Sequence, residues 1–287
     1  MRPTILSIQS WVATDHVGNA AAMFPLQRLG AEVWAVHTVQ FSNHPGRGAF
    51  TGRVFPGSEV RAIVDGIEAR GLFPQCDAVL SGYMGDPETI EAVLHAATRV
   101  RAANPAALYC CDPVIGDAGR IYVREGVPEL LAAQAVPLAD VLTPNQFELE
   151  QLTGAACRTI PASLAAIRTL QARMGPRRTV LVTSLFTENT PSDSLDLLAA
   201  DRTGAWLLRV PLLPIAPNGA GDAIAALFLL HLLRTGSTRR ALEAAGSAVA
   251  GLLRATAAAK APELLIVEAQ DELVCPTRTF SAQPLHA

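Results

Sequence analysis

The sequence predicts an α/β fold built on a mostly parallel sheet, and three observations predict it. Short β-rich runs alternate with helical patterns through the first two thirds of the chain, which is the grammar of βαβ units. One of these runs, Thr-Val-Leu-Val-Thr at 179–183, has the continuous character of a strand buried on both faces. The 287 residues are half hydrophobic and no Ser/Gly/Pro linker divides them. Length alone suggests about two domains, but the unbroken alternation predicts a single domain over 1–287.

The elements follow in order. A strand is expected at 4–8, a helix opening at 18 and a strand at 32–39. Ser58 is read as the N-cap of the next helix, ahead of the pattern that starts at Val60. A strand at 77–81 precedes a helix from Asp86-Pro87, whose proline suits a first turn. Strands at 107–111 and 140–142, helices at 146–152 and 161–173 and the strand at 179–183 complete the parallel region. From 184 the grammar changes: a polar loop leads into two apolar runs joined by Asp201-Arg202-Thr203-Gly204, an antiparallel hairpin near 194–210. Two alanine-rich helices, 220–235 and 238–258, come next, the second amphipathic around Leu242, Val249, Leu252 and Leu253. There is no internal repeat.

Composition excludes several classes. A net charge of −3 gives no basic field for a polyanion, so nucleic-acid binding is not expected. Five cysteines, at 76, 110, 111, 157 and 275, form neither a secreted disulfide framework nor a C-x-x-C metal spacing, and a reducing cytoplasm is the expected compartment. No secretory h-region is seen at the N-terminus. The most apolar helical stretch, 223–233, is about half the roughly 20 residues of a membrane span, so no membrane contact is expected. The basic residues are 22 arginines and one lysine, Lys260. A Walker A cradle is therefore absent, as is the Rossmann G-x-G-x-x-G.

The stretch Asn218-Gly219-Ala220-Gly221-Asp222 lies between a Pro-rich strand exit and the apolar helix. Two glycines permit close backbone approach, and a helix start adds unpaired N–H groups with a partial positive charge, a layout that suits phosphate. A carboxylate at such a place is unfavourable unless it has a task such as accepting a proton; the plain alternative is that Asp222 only caps the helix.

Seven segments together carry a resemblance: SIQS at 7–10, HVGN at 16–19, TVQFSNHPG at 38–46, LSGYMGD at 80–86, CDPVIGD at 111–117, TPNQFELEQLTG at 143–154 and GAGD at 219–222. In this order they resemble the pyridoxal kinases of the ribokinase-like superfamily, over about residues 4–260. The resemblance implies a three-layer α/β/α sandwich that transfers the γ-phosphoryl of ATP to the 5′-hydroxymethyl of pyridoxal or a close vitamer, with Mg²⁺, a monovalent cation such as K⁺, and a homodimer. It implies Asp222 as general base, with Gly219, Ala220 and Gly221 stabilising the transferring group. It places Ser10, Val39, His44, Pro45, Gly46 and Tyr83 at the vitamer, Ser42 and Asn43 in the covering loop, and Asp112 and Glu148 near Mg²⁺. On the nucleotide side it places Asp112, Thr143, Glu148, Thr183, Ser184, Asn218, Gly219 and Gly221, with Val210, Pro211, Leu212 and Leu213 as the strand covering adenine. The loops at 39–50 and 117–124 are expected to keep water out.

The chain also departs from the pattern. Trp11 stands where histidine is common, and Thr14-Asp15 replaces a usual Tyr-Gly. Trp11 either stacks on the substrate ring or fills a gap in the first loop, and the charge of Asp15 bears on vitamer preference. Two other readings stay open: a hydroxymethylpyrimidine kinase of the same superfamily, and a silent vitamer carrier for which Lys260 is the sole lysine available.

Overall fold

The computed structural model describes residues 2–285, so the expected domain extends past the described residues at Met1, His286 and Ala287. In chain order the elements are β1 (Thr4–Val12), α1 (Asn19–Arg28), β2 (Glu32–Phe41), β3 (Gly52–Val54), α2 (Gly57–Ala69), β4 (Ala78–Ser81), α3 (Pro87–Ala103) and β5 (Leu108–Cys111). They continue with β6 (Gly116–Asp117), β7 (Arg120–Ile121), α4 (Val127–Leu130), α5 (Val136–Leu138), β8 (Val141–Leu142), α6 (Gln146–Thr153), α7 (Ile160–Arg173) and β9 (Thr179–Leu185). The last are β10 (Ser194–Ala200), β11 (Ala205–Pro211), α8 (Ala220–Thr235), α9 (Thr238–Ala259), α10 (Asp271–Val274) and β12 (Gln283–Leu285).

One ten-stranded sheet runs in the order β12-β11-β10-β9-β8-β5-β4-β1-β2-β3. The pairs from β2 to β9 are parallel. The expected hairpin is β10–β11, turned at 201–204, and it extends the main sheet antiparallel to β9 rather than standing apart. Strands β3 and β12 add antiparallel edges, and β6 and β7 form a separate two-stranded ribbon. These last four are two or three residues long, too short to carry a periodic pattern.

Side chains alternate between two cores because successive strand residues face opposite ways. Leu6, Val79, Tyr109, Cys111, Val180 and Val182 join the core under α2, α3, α6 and α7. Ile5, Leu80, Leu108, Cys110 and Leu181 join the core under α1, α8 and α9. Helix α8 packs between α1 and α9 and is buried continuously from Ala223 to Leu230, which is why its sequence is apolar all round.

Two local readings are corrected. Strand β1 runs four residues beyond 8, because pairing with β2 continues to Phe41 across an irregularity between Gln9 and Trp11. Ser58 is not a cap: α2 begins at Gly57 after an N-cap at Pro56 that makes no side-chain bond, leaving Ser58 exposed in the first turn. Asp86, by contrast, caps α3 by accepting the Thr89 amide.

From β1 the chain first builds β2 on one side and then crosses to β4 on the other. Such a reversal opens a crevice at the C-terminal ends of the strands, where open α/β sheets bind ligands.

Candidate active site

A cavity of about 670 Å³ occupies that crevice. Its lining follows the sheet: Thr183 in β9, Thr143 after β8, Asp112 after β5, Tyr83 after β4, Ser10 in β1 and Val39 in β2. Above this row lie His44, Pro45 and Gly46 from the loop after β2, and residues 218–222 from the start of α8. Glu148 of α6 also faces the cavity, as do Asp117, Arg120, Ile121 and Tyr122 around the β6–β7 ribbon.

The start of α8 requires glycine. Gly219 is the N-cap with φ 89°, and a Cβ there would lie 1.8 Å from the His16 carbonyl oxygen. The same close packing involves Gly18 (φ 56°), whose Cβ would sit 2.3 Å from Ser10 Oγ. Asp222 is the third helical residue and not the N-cap, which is Gly219; its carboxylate stands in the first turn of the helix. Burial pushes its carboxyl above the ordinary carboxylate range, opposed by the Gly18 amide, by His44 and by its own amide. Its charge acts on both His44 and Asp112.

Asp112 and Glu148 are buried. Burial, and then the carboxylates of Glu148 and Asp222, hold Asp112 well above its usual range; the Thr143 hydroxyl opposes this. Burial pushes Glu148 up to about 7, although the amides of Asn145, Ile115 and Gly116 favour its charged form. Glu148 closes a capping box with Asn145 at the start of α6 and reaches the 115–116 loop at 2.9 and 3.4 Å. Neither carboxylate has an ion-pair partner among the described residues, and Thr143 Oγ1 is buried without satisfied hydrogen-bond geometry. Two interacting carboxylates and a free hydroxyl suit a hard divalent cation that keeps waters and takes phosphate oxygens, so these residues fit Mg²⁺.

The other expected residues divide plainly. Ser184 and the segment Val210, Pro211, Leu212 and Leu213 do not line the cavity. Ser184 follows Thr183 and faces the opposite side of the strand. Val210 is 6% exposed and packs in the core with α8 and α9, while Leu212 is exposed to solvent. Trp11 also stays outside the cavity and packs on His37, ring centroids 4.9 Å apart, which selects gap filling over substrate stacking. Asp15 does not reach the cavity, and Lys260 ends α9 in the left-handed conformation, exposed and outside the lining.

Sequence reasoning missed Arg120, the only lysine or arginine lining the cavity among the described residues, against four carboxylates, Asp112, Asp117, Glu148 and Asp222. A glycine turn before an arginine was its only signal. The SIQS and HVGN motifs turn out to be largely structural. Ser7 Oγ donates to Asn19 Oδ1 (2.7 Å), Gln9 Nε2 donates to Ser7 Oγ (2.9 Å), and Asn19 Nδ2 donates to the Val36 carbonyl (2.9 Å). This buried network ties α1 to β1 and β2 and so fixes Ser10 and Gly18.

Comparisons with known proteins agree with this geometry. The family described as phosphomethylpyrimidine kinase matches residues 61–263. The chain is 59% identical to the pyridoxal kinase PdxY of Granulibacter bethesdensis, covering 97% of this chain and 99% of that one. It is 55% identical to the PdxY of Deinococcus radiodurans, covering 97% and 95%. The pyridoxal kinase of Leishmania donovani in complex with ADP and pyridoxamine superposes with a TM-score of 0.91 at 29% identity, covering 99% of both chains.

Proposed function

The chain belongs to the pyridoxal kinase family, and from that membership we propose that it transfers the γ-phosphoryl of ATP to the 5′-hydroxymethyl group of pyridoxal and related vitamers. The observation that carries this is the position of Asp222, in the first turn of a helix where an anion is favoured and in one cavity with His44 and Asp112, on both of which its charge acts.

A primary hydroxyl is a weak nucleophile near neutrality, and a carboxylate within reach accepts its proton as the bond to phosphorus forms. The raised pKa of Asp222 brings its basicity closer to the working pH. The N–H groups of the 219–221 turn stand where negative charge develops on the transferring group, and Arg120 offers the cavity's one guanidinium. Ser10, Val39 and Tyr83 receive the acceptor from the sheet, and His44, Pro45 and Gly46 cover it. Thr143, Thr183 and Asn218 border the phosphates. Asp112, and Glu148 through water, would hold Mg²⁺, which when bound neutralises the phosphate oxygens. The β6–β7 ribbon and the 42–50 loop flank the cavity and limit water, which suppresses ATP hydrolysis. A K⁺ ion, a homodimer and a cytoplasmic location complete the proposal.

The test is product formation from Mg-ATP with pyridoxal, pyridoxamine, pyridoxine and hydroxymethylpyrimidine side by side, for the natural chain and Asp222→Asn. Phosphorylation of a vitamer that is lost in the variant is expected. Preference for the pyrimidine would move the assignment to the sister kinase, and vitamer binding without turnover would make the chain a carrier.

A further inference from the structure

The loop after β2 is closed at its base by Ser42 and Thr51 and braced by Asn43, which donates to the Ala49 carbonyl, but it buries little apolar surface. Residues 45–50 are exposed, and β3, to which the loop returns, is three exposed residues long. One short 3₁₀ turn, Pro45–Arg47, is its only internal element. His44, Pro45 and Gly46 line the acceptor end of the cavity, and the contacts that tie this turn to the rest of the protein come from outside the loop.

Asp15 supplies such contacts. Its side chain is 2% exposed, its Oδ1 lies 2.6 Å from Arg47 Nε, and its Oδ2 accepts the His44 amide at 2.5 Å. One buried carboxylate thus grips both ends of the 44–47 turn. Arg47 continues outward and donates to the Pro262 carbonyl at 2.7 Å, fastening the turn to the segment that follows α9. His44 then uses Nδ1 as acceptor for the Gly46 amide and the Asn218 side chain, each at 3.2 Å. The covering turn is therefore linked to the residue preceding Gly219.

We propose that Asp15 and Arg47 are positioning residues for the phosphoryl-transfer reaction: their ion pair latches the 44–46 turn over the acceptor. Neither side chain lines the cavity, so both act through His44 and Gly46. This rests on the kinase reading above. It also revises the expectation that the charge of Asp15 selects a vitamer, because one carboxylate oxygen accepts the His44 amide and the other faces Arg47 as its ion-pair partner.

The test uses Asp15→Asn, which keeps the shape, Arg47→Gln, the double variant and the conservative Arg47→Lys. Each neutral single variant should raise KM on the order of tenfold, equally for pyridoxal, pyridoxine and pyridoxamine. KM for ATP should not change, and ATP hydrolysis without vitamer should increase. The double variant should match the singles, since one interaction is removed either way, and Arg47→Lys should recover part of the loss. Hydrogen exchange of the amides at 44–48 should accelerate in the neutral variants, with the melting temperature near that of the natural chain. Unchanged exchange at 44–48 would overturn the latch, as would parallel losses for ATP and vitamer with a lowered melting temperature. A loss confined to pyridoxamine would make Asp15 a substrate contact instead. If the natural chain phosphorylates no vitamer, the kinase reading fails, while exchange at His44 and Gly46 still judges the latch.

Discussion

The two sides of the cavity are built differently. The side that on the proposed reading meets the transferring phosphoryl is the first turn of α8, a helix whose next eight residues are buried. The opposite side is an exposed loop tied to the rest of the protein by Asp15, His44 and Arg47 and braced by polar contacts among its own residues. Burial gives the first side a fixed position, because moving it would open the packing between α1 and α9. The second has few buried apolar contacts and is the part free to open. The contrast separates a surface that stabilises charge from one that admits and retains a substrate.

The largest effect that would sharpen this contrast is at Asp222. Asp222→Asn should lower kcat by about 10²- to 10⁴-fold with little change in vitamer affinity, measured by steady-state kinetics and direct titration. A change in affinity alone would break the comparison. Next is Gly219→Ala, which forces a side chain into the left-handed region and against the His16 carbonyl. It should cost at least about 2 kcal/mol in thermal or denaturant unfolding and reduce kcat. A variant of natural stability and full turnover would show that the anion turn is not rigid.

A smaller effect comes from His44. Burial lowers its pKa from 6.5, opposed by Asp15 and Asp222 and assisted by Arg47. A histidine with a depressed folded pKa contributes its full stability above 6.5, and that contribution is lost as pH falls below 6.5 toward the folded value. Protonated Nδ1 also cannot accept from Gly46 and Asn218. A pH profile of kcat/KM should therefore decline on the acid side below 6.5, with protonation of Asp222 contributing to the same limb, and His44→Gln should remove only the histidine's share, leaving a shallower limb. The smallest expected change is Ser10→Ala, where loss of one hydrogen bond to the acceptor should raise KM for pyridoxal roughly fivefold and leave KM for ATP alone.

Much of this was legible in the residues. The alternation of strands and helices and the paired helices at 220–235 and 238–259 were readable because each carries a full period of pattern. Asp222 and the glycines before it were readable because a Gly-rich turn before an apolar helix has few physical uses. The edge strand β3, the β6–β7 ribbon and with it Arg120 were not, since two or three residues show no period. The Asp15–Arg47 pair joins residues 32 positions apart through a loop, and such a contact leaves no mark on local sequence. Ser184 and residues 210–213 were drawn to the site by their place in a family pattern, but strand alternation turns Ser184 to the other face, Val210 packs in the core, and Pro211 and Leu212 are exposed outside the cavity lining.

The row of strand ends from β9 to β2 also acts as a ruler. Six neighbouring strands are separated by five steps of about 4.8 Å, so the floor of the cavity measures about 24 Å from Thr183 to Val39. Each strand end is a fixed graduation because its position is set by backbone hydrogen bonds and not by side chains. The spacing between the phosphate and acceptor ends is therefore independent of the residues that line it. On the proposed reading, changes to the floor at β1, β2 and β4 would alter the acceptor end without moving the graduations at β5, β8 and β9.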